Sequence, residues 1–326
     1  MNEANPARID IFGQHFNRVV SNVETVIQGK REVVELMVLA LVAEGHVLIE
    51  DVPGVGKTQL AKSLAKSIGG AFNRIQFTPD LLPSDVTGIS VWDRDRSEFE
   101  FKPGPIFANI VVGDEINRAS PKTQSALLEA MEERQVTSDG ITRALELPFM
   151  VIATQNPLEH EGTYPLPEAQ LDRFMMRVVI GYPSREKELE ILDTHGIRST
   201  FYDLNPVATV EEVEEMVTIA REVAVSQSVK NYIVDLVEGT RLHPDVKLGA
   251  SPRSALFLQR LARSRAASQG RDYVMPDDIK VLAQPVLEHR LAMRPEAQMR
   301  GETVTDLIDD ILGRLRVPGT TSRIAT

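Results

Sequence analysis

The chain has 326 residues, with 36 lysines and arginines against 47 aspartates and glutamates, a formal net charge of -11. That balance argues against a surface built to grip nucleic acid, and the length and 42% apolar content allow two domains around a sizeable core. The absence of cysteine excludes disulfides, thiolate metal sites and cysteine nucleophiles and suits a reducing cytoplasm, while no apolar run approaches the roughly 20 residues that span a bilayer.

Residues 1–15 form a polar leader, loose or partly helical, without the apolar core of a signal peptide. Val19–Ala43 then carries apolar residues at helical spacing, broken at Gln28-Gly29, with Val33, Leu36, Met37, Ala40 and Leu41 as the buried stripe of the second helix. Val47–Ile49 reads as a buried strand that runs through a Pro/Gly loop into the helix-forming composition of Lys57–Ser67. Strand, glycine loop, Gly-Lys-Thr and helix together make a phosphate-binding loop. Gly54 and Gly56 let successive backbone N–H groups turn inward around phosphate oxygens, and the helix directs its partial positive charge at the same anion. Lys57 is expected to reach the β- and γ-phosphates and the Thr58 hydroxyl to ligate Mg²⁺, with Pro53, Val55 and Gln59 as further loop contacts. Asp51 stands where the strict motif has its first glycine. In nucleotide-driven motors a bend such as Ile27-Gln28-Gly29 often packs against adenine, which makes Ile27 and Gly29 candidates for the base.

Ala71–Phe77 is a second strand, followed by a Pro/Asp-rich loop to Thr87 with room for a short helix. Gly88–Phe101 alternates like a β-hairpin with a charged turn at Asp93–Ser97, either a surface hairpin with its aromatics on the core or a loop that contacts substrate. Asn109–Val112 is a third strand, and the Asp114-Glu115 pair beyond it has the makings of the second half of an ATPase site. Asp114 would hold Mg²⁺, and Glu115 would polarise the water that attacks the γ-phosphate. Ser120-Pro121 opens a helix through Glu133, and Ser138-Asp139-Gly140 is a turn between two short strands. Phe149–Ala153 is a buried strand ending in Thr154-Gln155-Asn156-Pro157, where Asn156 is either a water-orienting group or a plain turn residue. Arg173 either pairs with Asp172 or offers its charge to a neighbouring subunit, before a last strand at Met175–Ile180.

Pro183–Glu186 marks the expected boundary between an α/β core, 1–183, and a helical domain, 184–318, with 319–326 as a disordered tail. Strand signals fade beyond it, and helical patterns run through Glu186–Asp193, Val210–Ala224, Val229–Leu242, Ser254–Ser268, Pro276–His289 and Thr303–Leu315. Arg253 lies in the first turn of one of these helices, an unfavourable place for a cation unless a phosphate compensates it.

With these segments in view the chain resembles a MoxR-family AAA+ ATPase over nearly its whole length. The resemblance rests on Glu50–Thr58, on Gly113-Asp114-Glu115-Ile116-Asn117-Arg118-Ala119, on Ala153–Pro157 and on Gln170-Leu171-Asp172-Arg173-Phe174. The family tends to carry Asp51. The resemblance implies a P-loop α/β core with a parallel sheet flanked by helices, followed by a small all-helical lid, assembled as a homo-oligomeric ring, commonly a hexamer. It implies an ATP/ADP site with Mg²⁺, with Asn156 as first sensor, Arg173 as an arginine finger given in trans, Arg253 as the lid's sensor and Arg118 as a second trans candidate. The hairpin at about 88–103 matches the helix-two insert, and that at about 134–147 the pre-sensor hairpin, both facing the pore. It further implies chaperone-like remodelling of partner proteins, often ones with von Willebrand factor A domains.

Two other functions compete with this one. A nucleotide-gated scaffold with negligible turnover is opposed by the intact Asp114-Glu115 pair. A nucleic-acid motor of the same insert-bearing branch is opposed by the charge of -11. The six histidines show no metal spacing, and His160-Glu161 lacks a second histidine, so Mg²⁺ is the metal expected.

Overall fold

A computed structural model of the chain describes residues 6–156, 163–195 and 200–318; His160-Glu161 and the expected tail at 319–326 lie outside these. The chain divides into two compact units, one of residues 15–216 and one of the residues up to Gln14 together with those from Val217 onward. The stretch 184–216 therefore belongs to the first unit.

The leader, expected as loose or partly helical, is helical from Pro6 onward. Helix α1 covers Pro6–Glu24, with Ile9, Phe12, Phe16, Val19, Val20 and Val23 buried at three- and four-residue spacing. The bend at Ile27–Gly29 separates it from α2, Arg31–Val42. Strand β1, Val47–Glu50, leads to α3, Lys57–Ser67, and β2, Phe72–Gln76. A short α4, Pro83–Thr87, precedes the hairpin of β3, Gly88–Asp93, and β4, Glu98–Pro103. Strand β5 is Ile110–Asp114 and α5 is Pro121–Glu133, opened by Pro121 with the Ser120 hydroxyl accepting from the Thr123 N–H. A second hairpin pairs β6, Gln135–Ser138, with β7, Ile141–Ala144, across Asp139-Gly140, both at positive φ as a tight two-residue turn requires. Strand β8 is Met150–Gln155, α6 is Glu168–Leu171, β9 is Met176–Val178 and α7 is Arg185–His195.

Five strands form one parallel sheet in the order β2-β5-β8-β1-β9. The runs Val47–Ile49, Ile110–Gly113 and Met150–Thr154 are buried without alternation, as strands covered on both faces must be. The register pairs Gln76 with Asp114 and Glu50 with Gln155, so the polar ends of these strands gather along one sheet edge. His46, just before β1, is fixed from two sides: Nε2 lies 2.9 Å from the Met131 carbonyl, and Nδ1 accepts the Val151 N–H at 2.9 Å. Burial pushes its pKa down to about 4, so the ring is neutral at ordinary pH.

The first hairpin does not bury its aromatics wholesale. Phe101 packs edge-on to Phe107 and under the Arg143 guanidinium, but Trp92 and Phe99 remain 49% and 71% exposed, packed on each other across the strands.

From Val210 onward the chain is helical: α8, Val210–Glu222, α9, Gln227–Leu242, α10, Pro252–Ser268, α11, Pro276–Leu287, α12, Pro295–Met299, and α13, Val304–Arg314. In the second unit Tyr232, Leu236, Leu258, Leu261, Leu282 and Ile308 are buried, and Asp278 at the start of α11 is gripped by Arg271 at 2.7 and 2.9 Å. Strands are not wholly absent there: β10, Val246–Leu248, pairs antiparallel with β11, Ala292–Met293. Two or three residues are too few for a period-two pattern to register in the sequence.

Candidate functional site

The loop after β1 is shaped by two glycines at positive φ, Gly54 at 87° and Gly56 at 89°. A Cβ at Gly54 would meet nothing within 4 Å, so backbone conformation rather than crowding demands glycine there. Gly56 is the N-cap of α3, and a Cβ on it would lie 3.9 Å from Ile27 Cδ1, which puts the α1–α2 bend beside the loop. Lys57 Nζ donates to the Asp51 carbonyl.

Asp51 itself has a structural task. Its Oδ1 accepts from the Val52 N–H at 2.8 Å, and its Oδ2 accepts from the N–H groups of Ile180 at 2.7 Å and Gly181 at 2.6 Å. The carboxylate is buried and ties the loop to the chain leaving β9. A glycine could not do this, which is the physical reason the motif departs from the strict pattern here.

Asp114 and Glu115 end β5 beside the loop. Thr154 at the end of β8 donates its hydroxyl to Asp114 Oδ1 at 2.5 Å, and the Thr154 hydroxyl oxygen in turn accepts the Glu115 N–H at 3.0 Å. Glu115 is held at φ 57°, a left-handed conformation uncommon for a side-chain-bearing residue and often found at functional sites. Arg74 donates to Asp114 Oδ2 from Nη2 at 2.6 Å and from Nε at 3.2 Å, and to Gln76 Oε1 at 2.6 Å. Gln76 Nε2 in turn donates to Glu115 Oε2 at 3.0 Å, where Arg118 also donates at 3.0 Å.

Lys57, Thr58, Asp114, Glu115, Thr154 and Asn156 wall one cavity of about 390 Å³, with Pro53, Gly54, Gly56 and Gln59 completing the loop side. A second cavity of about 240 Å³ shares Gly54, Gly56 and Gln59 with it and adds Ile27 and Val55. Thus Ile27, the loop residues from Pro53 to Gln59, Asp114, Glu115 and Asn156 are brought together. Gly29 lines neither cavity. Its φ of 70° makes the bend, and a Cβ on it would come within 2.9 Å of Lys187 Cγ. Arg173 forms an ion pair with α5, its Nε 3.0 Å from Glu132 Oε2. Arg253 lies in the first turn of α10, in the second unit.

Arg74, Gln76 and Thr154 are the residues the motif reading missed. Arg74 and Gln76 alternate on one strand, and that signal is visible in the sequence. Their target is not, because it depends on β2 pairing with β5.

Residues 46–176 match the model of the ATPase family associated with various cellular activities (AAA), and residues 238–311 match an AAA lid domain. The chain is 42% identical to Chaperone MoxR1 of Mycobacterium tuberculosis over 310 residues, 92% of this chain and 82% of that one. It belongs to the MoxR family of AAA+ ATPases. A second relative, YeaC of Bacillus subtilis, is 51% identical over 92% of this chain and 94% of its own. A crystal structure from Cytophaga hutchinsonii, of a protein assigned as an ATPase, superposes with a TM-score of 0.89 at 38% identity, covering 95% of this chain and 97% of that one. The AAA match takes in the phosphate loop, both carboxylates and Asn156, and the lid match falls within the second unit. Among the described residues no helix is long and apolar enough to cross a membrane.

Proposed function

We propose that this MoxR-family protein binds ATP with Mg²⁺ after β1, hydrolyses it to ADP and phosphate, and uses the cycle, as a homo-oligomeric ring, to remodel partner proteins. The observation that carries the reading is the single cavity bearing Lys57, Thr58, Asp114, Glu115 and Asn156 on one sheet edge. The donor set suits a hard cation: a hydroxyl and a carboxylate beside a phosphate cradle, with no sulfur or imidazole among them.

The backbone N–H groups of the loop and the start of α3 hold the phosphates, and Lys57 moves its ammonium from the Asp51 carbonyl to phosphate oxygen. Thr58 and Asp114 would hold the metal, which when bound would supply neutralisation of phosphate charge. Glu115 accepts a proton from the attacking water as the bond from the γ-phosphorus to the ADP oxygen breaks. Its hydrogen bonds from Gln76 and Arg118 both fall on Oε2, so Oε1 is the oxygen that faces the water. Asn156 orients that water. Arg173 leaves Glu132 to serve a neighbouring subunit's ATP, with Arg118 as the alternative trans residue, and Arg253 is the lid's candidate sensor. Partner proteins are proposed because the relative MoxR1 is named a chaperone. Von Willebrand factor A domains as clients rest on family resemblance alone.

Steady-state ATP hydrolysis across a protein dilution series tests the shared site, with Arg173→Ala alongside. Specific activity falling on dilution, and loss of turnover in the mutant with nucleotide still bound, is the expected result. Flat activity per chain with a normal mutant would remove the ring mechanism.

A further inference from the structure

The two hairpins of the first unit meet along one face. On that face β3 and β4 present Ser90 opposite Phe101 and, further towards the turn, Trp92 opposite Phe99. The inner pair is covered. Phe101 packs edge-on to Phe107, and the Arg143 guanidinium of β7 lies 3.7 Å from its ring centre. The Ser90 hydroxyl donates to the Asp139 carboxylate in the β6–β7 turn. The outer pair is uncovered: Trp92 and Phe99 meet edge to face, ring centres 5.1 Å apart, and both stay exposed. The opposite face of the hairpin also exposes Ile89 and Val91, but sets them against Lys102 and Glu100, so no continuous apolar area forms there.

What fits the outer pair can be read from what covers the inner one. A guanidinium over an aromatic face is held by the ring quadrupole. Phe99 offers a second such ring one step along the strand, about 7 Å away. Its diagonal neighbour Ser90 carries Asp139, an exposed carboxylate bonded by the hydroxyls of Ser90 and Ser138. The charges nearer the turn compensate one another: Arg96 lies 3.9 Å from Asp93 and 4.0 Å from Glu98, and Lys102 pairs with Glu100 at 2.6 Å. Among the described residues β4 has β3 as its one ladder partner, so its outer edge is available to an extended backbone.

We propose that the Trp92–Phe99 end of this face docks an extended segment of another polypeptide through arginine or lysine side chains. These lie over Phe99 as Arg143 lies over Phe101, with Asp139 as their counter-charge. The proposal stands on the hairpin geometry and goes beyond the nucleotide site.

Trp92 is the chain's single tryptophan, so the emission of the full chain reports on this face. The probes are short peptides that alternate threonine with arginine, with glutamine or with glutamate. The arginine peptide is expected to shift the emission and to bind at least about fivefold more tightly than the glutamine peptide, and the glutamate peptide to give no shift. Phe99→Leu, which leaves the net charge unchanged, should bring the arginine peptide down to the affinity of the glutamine peptide. Asp139→Asn should weaken it about threefold. Both side chains are exposed, so neither substitution threatens the fold, and both variants keep the reporter. An unchanged affinity in Phe99→Leu means that the acidic chain as a whole attracts the peptide, and overturns the proposal; so does the absence of a shift with the arginine peptide. A shift with oligothymidylate, or on concentrating the protein alone, in place of one with the arginine peptide assigns the face to nucleic acid or to a second copy and overturns it as well. None of these outcomes touches the ATP reading, since no nucleotide enters the titration.

Discussion

Two aspartates on the same sheet edge have opposite kinds of partner. Asp51, after β1, is buried and accepts three backbone N–H groups. Asp114, at the end of β5, is bonded by side chains, the Thr154 hydroxyl and the Arg74 guanidinium. Backbone donors cannot leave without unfolding the loop, whereas a hydroxyl rotates and a half-exposed arginine swings away. The first arrangement builds a scaffold, and the second leaves a carboxylate that can exchange partners for a ligand.

The largest effect belongs to the exchangeable side. Glu115→Gln should lower ATP turnover about a thousandfold while nucleotide still binds, as loss of a general base does. Turnover within tenfold of wild type in a steady-state assay would remove Glu115 from the role of base. On the scaffold side, Asp51→Ala leaves three N–H groups unpaired, that of Ile180 buried and those of Val52 and Gly181 part-buried, and should cost about 3 kcal/mol in urea unfolding. Asp114→Asn should barely move that midpoint while weakening the Mg²⁺ dependence of nucleotide binding. Equal destabilisation by the two substitutions would erase the contrast.

His46 is a scaffold group that pH can reach. The imidazole binds a proton near 6.5 in the unfolded chain and only near 4 when folded, because burial penalises its charge. Between those values the unfolded state holds more protons, so stability is fully present above pH 6.5 and falls as pH drops towards 4, by about 3 kcal/mol in all. His46→Asn should flatten that part of the stability profile, measured by urea midpoints at pH 7, 5.5 and 4.5. The smallest effect is expected at Arg74, whose pair with Asp114 is half-exposed and worth about 1 kcal/mol or less. Arg74→Ala should lower the Mg²⁺ concentration needed for nucleotide binding a few-fold, since a competing cation is gone. A higher requirement would mean that Arg74 supports the site rather than blocks it.

The motif residues could be found because their chemistry is local. Gly54, Gly56, Lys57 and Thr58 are neighbours in the chain, and the conformation their task needs is set by the loop and the helix it opens. The hairpin turn at Asp139-Gly140 was readable for the same reason. Gly29 was legible as a bend, but that one side of the bend meets Lys187 was not, because that contact is a long-range matter. Of the two states open to the leader, loose or partly helical, burial of Ile9 and Phe12 on α1 decides for the helix from Pro6 onward.

The sequence by itself determined the phosphate loop, the Asp-Glu pair, the succession of buried strands and the helical second half, since each is written in adjacent residues or in a period of two or 3.6. Only the tertiary structure decided that Asp51 caps the chain beyond β9, that Arg74 and Gln76 reach the carboxylates, and that Arg173 pairs with Glu132. The reason is distance along the chain: Asp51 and Gly181 are 130 positions apart, Arg74 and Asp114 are 40 apart, and strand order alone brings them within hydrogen-bonding reach.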